Sequence, residues 1–163
     1  MLQPAAIDGL AFARSAGIMK GQLGLESLPR LAQSGCSGAA VDFILTGEIN
    51  QRGKPELSLA VDGRLGLVCQ RCLGEVELVL RLASRLELAA SEAEILGADD
   101  EVERILAGRD MRVAEMVEEE LILGLPMVAK HEHCLAATGA EEGTGSSAFK
   151  ALAALRKRSF SGG

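Results

Sequence analysis

Leu57-Ser58-Leu59-Ala60-Val61-Asp62-Gly63-Arg64-Leu65-Gly66-Leu67-Val68-Cys69, followed after the short link Gln70–Gly74 by Glu75-Val76-Glu77-Leu78-Val79-Leu80-Arg81-Leu82-Ala83-Ser84-Arg85-Leu86-Glu87-Leu88, decides the fold. In the first run Leu57, Leu59, Val61, Leu65, Leu67 and Cys69 are all odd-numbered. In the second Val76, Leu78, Leu80, Leu82, Leu86 and Leu88 are all even-numbered, with Glu75, Glu77, Arg81, Arg85 and Glu87 between them. Successive side chains of a strand point to opposite faces, so each run reads as a long strand with one apolar face. Joined through so short a link, the two are expected to be antiparallel neighbours burying one shared face. Gly63, after Asp62, is expected to mark a bulge or sharp bend.

Upstream, Val41, Phe43 and Leu45 alternate with Asp42 and Thr46, a strand that ends near Ile49. Asn50-Gln51-Arg52-Gly53-Lys54-Pro55 then has the composition of a turn. Gly21–Glu26 alternates weakly, and Ile7–Arg14 fits either a helical turn or an edge strand. Ser27–Gly35 reads as a brief helix with Ser27 as N-cap and Pro29 in its first turn. Downstream, Ser91–Gly108 is acidic and weakly patterned, open to helix or excursion. Asp110 is expected to cap a helix whose apolar stripe is Val113, Val117 and Leu121, with Glu118 and Glu119 on the solvated face and Pro126 ending it. Glu120, one residue off that stripe, is placed to reach back to an Arg or backbone partner. The fold class expected is α+β: an antiparallel curved sheet or partial β-barrel with a few packed helices. Residues 1–136 are expected to form a single domain, 137–147 a flexible Gly/Ser-rich linker, and 148–163 a short helix with a basic tail.

The chain has 163 residues, 48% apolar and 25% charged, enough for one core without disulfide staples. Aromatic residues are 2% and net charge is −6, which argues against a base-stacking platform or a general polyanion binder. No apolar stretch approaches the roughly 20 residues that span a bilayer. The start lacks a basic segment followed by an apolar one, so a cytoplasmic protein with reduced cysteines and no membrane partner is expected.

Three of the four cysteines and both histidines fall into two clusters, Cys69-Gln70-Arg71-Cys72 and His131-Glu132-His133-Cys134. Two cysteines with two residues between them can hold one ion, and a distant His/Cys pair can complete the four ligands of a structural zinc. Cys69, Cys72, His131 and Cys134 are therefore the candidate zinc ligands; His133, directly beside Cys134, is harder to aim inward. Cys-x-x-Cys is also a redox motif, but that chemistry draws its thiolate from a helix N-terminus. Here a strand follows Cys72, leaving no obvious source of thiolate stabilisation beyond Arg71. Consecutive Glu118, Glu119 and Glu120 point about 100° apart on a helix and cannot converge on one reacting atom. No catalytic residue set is visible, so the chain is read as not an enzyme. Arg71, at the tip of the link, is the first candidate contact for RNA or a partner. Lys150, Arg156, Lys157 and Arg158 are the second, and Arg64, Arg81 and Arg85 flank the tip on the strands.

These residues also resemble the bacterial YceD family, the large ribosomal RNA subunit accumulation proteins. The likeness runs from Val61-Asp62-Gly63 through Cys69-Gln70-Arg71-Cys72-Leu73. It resumes in the acidic helix Glu118–Pro126 and the pair His131–Cys134, with a weaker echo at Phe149–Leu155. Ala129 stands where relatives often have a second proline, and Ser146-Ser147 where their last motif often opens Asn-Pro. The resemblance implies a non-enzymatic factor for synthesis, processing or stability of 23S ribosomal RNA. Its partners would be pre-50S particles or 23S ribosomal RNA, met directly or through an assembly protein. The rival readings are a zinc-stabilised protein-interaction module and a thiol-redox enzyme using Cys69 and Cys72.

Overall fold

The computed structural model describes residues 6–97 and 101–134. In chain order they form β1 (Ala6–Ile7), α1 (Gly9–Arg14), β2 (Ile18–Gly24), a 3-10 turn (Leu25–Ser27), α2 (Pro29–Gln33), β3 (Gly38–Ile49) and β4 (Pro55–Val68). Then come β5 (Glu75–Ala89), α3 (Glu92–Leu96), β6 (Arg104–Leu106), β7 (Met111–Arg112) and α4 (Val113–Gly124). The expected linker at 137–147 and the helix and tail at 148–163, with Lys150, Arg156, Lys157 and Arg158, lie outside the described residues.

The fold is α+β, with an open, curved sheet of five strands in the order β2-β3-β4-β5-β6 and a separate two-stranded ribbon of β1 and β7. From β2 to β5 the strands are an antiparallel meander, with the short links expected of β3–β4 and β4–β5. The expected antiparallel curved sheet gains a mixed edge, where β6 runs parallel to β5 and pairs Arg104–Leu106 with Glu87–Ala89. A parallel return needs a crossover of about a dozen residues, and the weakly patterned acidic segment containing α3 supplies it. Among the described residues β2 and β6 do not pair, so no barrel closes.

The register of β4 against β5 is unbroken from Glu56 opposite Glu87 to Val68 opposite Glu75, so Gly63 marks no bulge. Its cause is packing. A Cβ on Gly63 would lie 3.0 Å from Cδ2 of Leu121, so the glycine lets α4 settle on the sheet. Gly47 does the same for α1, where a Cβ would come 2.7 Å from the Ala13 Cα. The core lies between the sheet and these helices. Val41, Phe43, Leu45, Leu57, Leu59, Val61, Leu65 and Leu67 meet Ala13, Leu31, Val113, Val117 and Leu121 there. Each fully buried aliphatic chain contributes roughly 1.5 to 3 kcal/mol. On β5 the apolar row is fully buried only from Leu86 onward; Val76, Leu78, Leu80 and Leu82 stay half-buried.

Three local expectations are corrected. Arg112, not Asp110, precedes α4, and its side chain makes no cap. Leu28, not Ser27, precedes α2, also without a side-chain cap. Glu118 does not face solvent: it is 2% exposed, and its Oε1 accepts the Leu31 N–H at 2.9 Å. The missing cap of α2 is thus supplied from α4, by a carboxylate placed against unpaired helix N–H groups. That long-range backbone contact, expected of Glu120, belongs to Glu118.

Glu87 is buried at the opposite end of the sheet. It accepts from Arg52 Nη2 at 2.7 Å, Arg104 Nε at 2.8 Å and Asn50 Nδ2 at 3.0 Å. Burial pushes its carboxyl up, but the Asn50 amide and the two guanidiniums outweigh that and hold it below the ordinary carboxylate value.

Candidate metal centre

The link between β4 and β5 is closed by its own backbone. Cys69 N–H donates to the Gly74 carbonyl at 2.8 Å, and Leu73 N–H to the Cys69 carbonyl at 2.9 Å. Leu73 takes a positive φ of 61° to complete the turn, a conformation that non-glycine residues seldom adopt. The second loop, after Pro126, is pinned to the first by Gln70 N–H donating to the Ala129 carbonyl at 2.8 Å.

This arrangement brings together the four side chains that spacing singled out. The ligand atoms of Cys69, Cys72, His131 and Cys134 all lie within 4.8 Å of one another. Cys69 Sγ is 3.6 Å from Cys134 Sγ, while His131 Nδ1 is 3.3 Å from Cys72 Sγ and 3.8 Å from Cys134 Sγ. Tetrahedral zinc with bonds of about 2.3 Å to sulfur and about 2.0 Å to nitrogen has ligand-to-ligand edges of roughly 3.5 to 3.8 Å. The donor set therefore suits a structural zinc in chemistry, and three of its edges, at 3.3, 3.6 and 3.8 Å, lie near that range, while no pair is more than 4.8 Å apart. His131 Nε2 lies 2.8 Å from the Glu75 carbonyl. A carbonyl only accepts, so Nε2 carries the proton and Nδ1 presents its lone pair to the sulfurs, the orientation that partners of ligating histidines impose. His133 is exposed and outside the group.

The electrostatics differ from the sequence expectation in one respect. No helix follows Cys72, yet the Cys69 thiol is lowered to about 5. The Cys72 N–H aimed at its sulfur is the chief cause; burial opposes it, and the N–H groups of His131 and Arg71 and the Cys134 thiol add to it. A turn of Cys-x-x-Cys type can thus supply from its own amides what a helix terminus supplies elsewhere. Cys134 is raised, by burial first and then by the neighbouring Cys69 and Cys72 sulfurs. All four cysteines are unpaired thiols; Cys36, buried apart from the group, bonds the Gly38 carbonyl.

Arg71 is exposed at the tip and makes no ion pair among the described residues. Arg81 is less free, with Nε 3.2 Å from Asp62 Oδ2. A groove of about 750 Å³ between α2 and α4 is lined by Glu26, Glu115, Glu118 and Glu119 against Arg30 and Arg112. Its acidic balance disfavours phosphate, and it shares no residue with the Cys/His group. Among the described residues no helix is long and apolar enough to cross a membrane.

The architecture and the site define a class: an open-sheet α+β domain with a thiol–imidazole group at a hairpin tip. The chain belongs to the YceD family, described as "Large ribosomal RNA subunit accumulation protein YceD", whose profile matches residues 57–156, well over half the chain. The match spans β4 from Leu57 onward, β5, α4 and both halves of the Cys/His group. No curated protein and no solved structure matches the chain. The family name carries a role in large ribosomal subunit accumulation, and it names an accumulation factor rather than an enzyme.

Proposed function

We propose that the protein is a non-enzymatic factor supporting synthesis, processing or stability of 23S ribosomal RNA, acting on precursors of the large subunit in the cytoplasm. A zinc held by Cys69, Cys72, His131 and Cys134 fixes the two loops, and Arg71 at their tip makes the contact. The observation that carries this reading is the exposed Arg71, without an ion pair among the described residues, standing between two members of a four-ligand group. A guanidinium so placed can grip a phosphate, or a partner carboxylate, through two parallel hydrogen bonds. The basic residues Lys150, Arg156, Lys157 and Arg158 are the second contact surface. The family match speaks against a zinc-stabilised interaction module without a ribosomal role.

Depletion of the protein should lower mature 23S relative to small-subunit ribosomal RNA, and the protein should co-sediment with, and cross-link to, large-subunit precursors. Complementation with Arg71→Glu should restore the deficit only in part, although tip positions carry little packing and the variant should fold. Full restoration by the folded variant would remove Arg71 from the contact surface. An unchanged RNA ratio on depletion would overturn the function itself.

A further inference from the structure

Between Glu75 and Glu87, β5 has a neighbour on one side only. β4 pairs along its whole length, whereas β6 covers only Glu87–Ala89. The edge-directed groups belong to the odd-numbered residues. Glu87 N–H donates to the Glu103 carbonyl, the Ala89 carbonyl accepts from Ala107 N–H, and the Glu75 carbonyl faces His131 Nε2. Alternation along a strand then aims the backbone N–H and C=O groups of Glu77, Val79, Arg81, Ala83 and Arg85 outward. Among the described residues none of them has a partner on that side.

Open edges recruit further strands, and sequences usually guard them with Pro, charged side chains (Lys above all), a bulge or an inward-pointing charge. Here Glu75, Glu77, Arg81 and Arg85 are the guard, and they repel a foreign strand while their order suits a copy of the same one. From Glu75 to Arg85 there is no Pro, Gly or Lys, and the register is unbroken. Val76, Leu78, Leu80 and Leu82 on the helix-covered face are half-buried, and Val79 on the other is 51% exposed. We propose that this edge is a self-association surface, on which β5 of a second copy pairs antiparallel to make one sheet continuous across two chains.

Charge order selects a second copy over an arbitrary strand. The outer face reads Glu75, Glu77, Val79, Arg81, Ala83, Arg85, acids first and arginines last. A strand of that polarity complements its own antiparallel copy. With the two-fold axis at Val79, Glu77 stands opposite the partner's Arg81 and Arg81 opposite the partner's Glu77. Val79 meets its own copy, and on the other face Leu78 lies against the partner's Leu80. The shared ladder runs from Glu77 to Arg81 on each copy, because His131 already holds the Glu75 carbonyl that the partner's Ala83 would need. An axis at Arg81 would instead set two guanidiniums together, which cross-strand pairing disfavours. The contact is isologous and closed, so it stops at a dimer.

Sedimentation equilibrium on the full chain tests this. The wild type should be a dimer at tens of micromolar. Val79→Pro should be a folded monomer, because the lost N–H faces away from β4 and leaves that ladder intact. Arg81→Glu should raise the dimer dissociation constant about tenfold, as two symmetric pairs turn from attraction to repulsion. Glu77→Arg combined with Arg81→Glu should restore the dimer, although the Asp62 ion pair within the chain stays lost. Circular dichroism and the thermal midpoint confirm folding. A wild type that remains monomeric overturns the proposal. So does a dimer indifferent to Val79→Pro, or a double variant that folds but fails to re-associate.

Discussion

Glu118 shows how much one side chain can do that its neighbours cannot. On the same helix, Glu119 is exposed, while Glu118 lies buried with Oε1 on the Leu31 N–H. No sequence signal separates the two, because the ridge that Glu118 occupies is defined by where α2 lies, and α2 is distant in sequence. What could be read was the apolar stripe of Val113, Val117 and Leu121, on which Glu118 borders. Glu118→Ala should cost about 1 to 3 kcal/mol, the penalty for leaving a buried N–H unpaired. Glu118→Gln should cost less, since an amide oxygen still accepts. Denaturant unfolding of the two variants measures the difference, and equal losses would mean the packing of the side chain matters more than its oxygen.

At the scale of elements, β3, β4 and β5 were legible because period-2 alternation depends only on neighbouring residues. β6 was not: three residues in an acidic run carry no period, and its parallel pairing depends on a crossover. Gly63 is opaque in the sequence for a related reason, since its explanation is the Leu121 side chain from α4 rather than anything in its own strand. The Cys/His group was legible from ligand spacing, whereas the amides that lower Cys69 appear only once the turn is folded. The two loops should hold about one zinc per chain, measured on protein purified reduced and without a metal-binding tag. Metal at a hundredfold excess over its dissociation constant contributes about 2.7 kcal/mol, so chelation should lower the unfolding midpoint. Cys69→Ser should abolish both the metal and the chelator's effect. A midpoint unmoved by chelation would leave the loops held by the hydrogen bonds Gln70–Ala129 and His131–Glu75 without metal.

Across the whole molecule, Glu87 ties the β3–β4 turn to β5 and β6 through Arg52, Asn50 and Arg104. Its folded carboxyl lies below the ordinary value of 4.5. The stabilisation it gives is therefore complete above that ordinary value and is lost as pH falls through the lower, folded one. Glu87→Gln should be less stable at neutral pH by about 3 kcal/mol, because it leaves guanidiniums without a counter-charge. It should also lose part of the wild type's acid-side decline in thermal midpoint. Parallel pH profiles for the two proteins would remove Glu87 from the acid response. None of this latch could be read from the sequence, in which Glu87 is one more polar residue on an alternating strand.

The two halves of the Cys/His group are far apart in the order of synthesis: 59 residues separate Cys72 from His131. At about 5 to 20 residues per second, translation takes roughly 3 to 12 seconds to cross that interval. The β2–β5 meander pairs only strands that are neighbours in sequence, so its pairing can run ahead while Cys69 and Cys72 wait as two free thiols without their complement. A nascent chain therefore passes through a window in which an oxidant, or a misplaced ion, competes with residues not yet made.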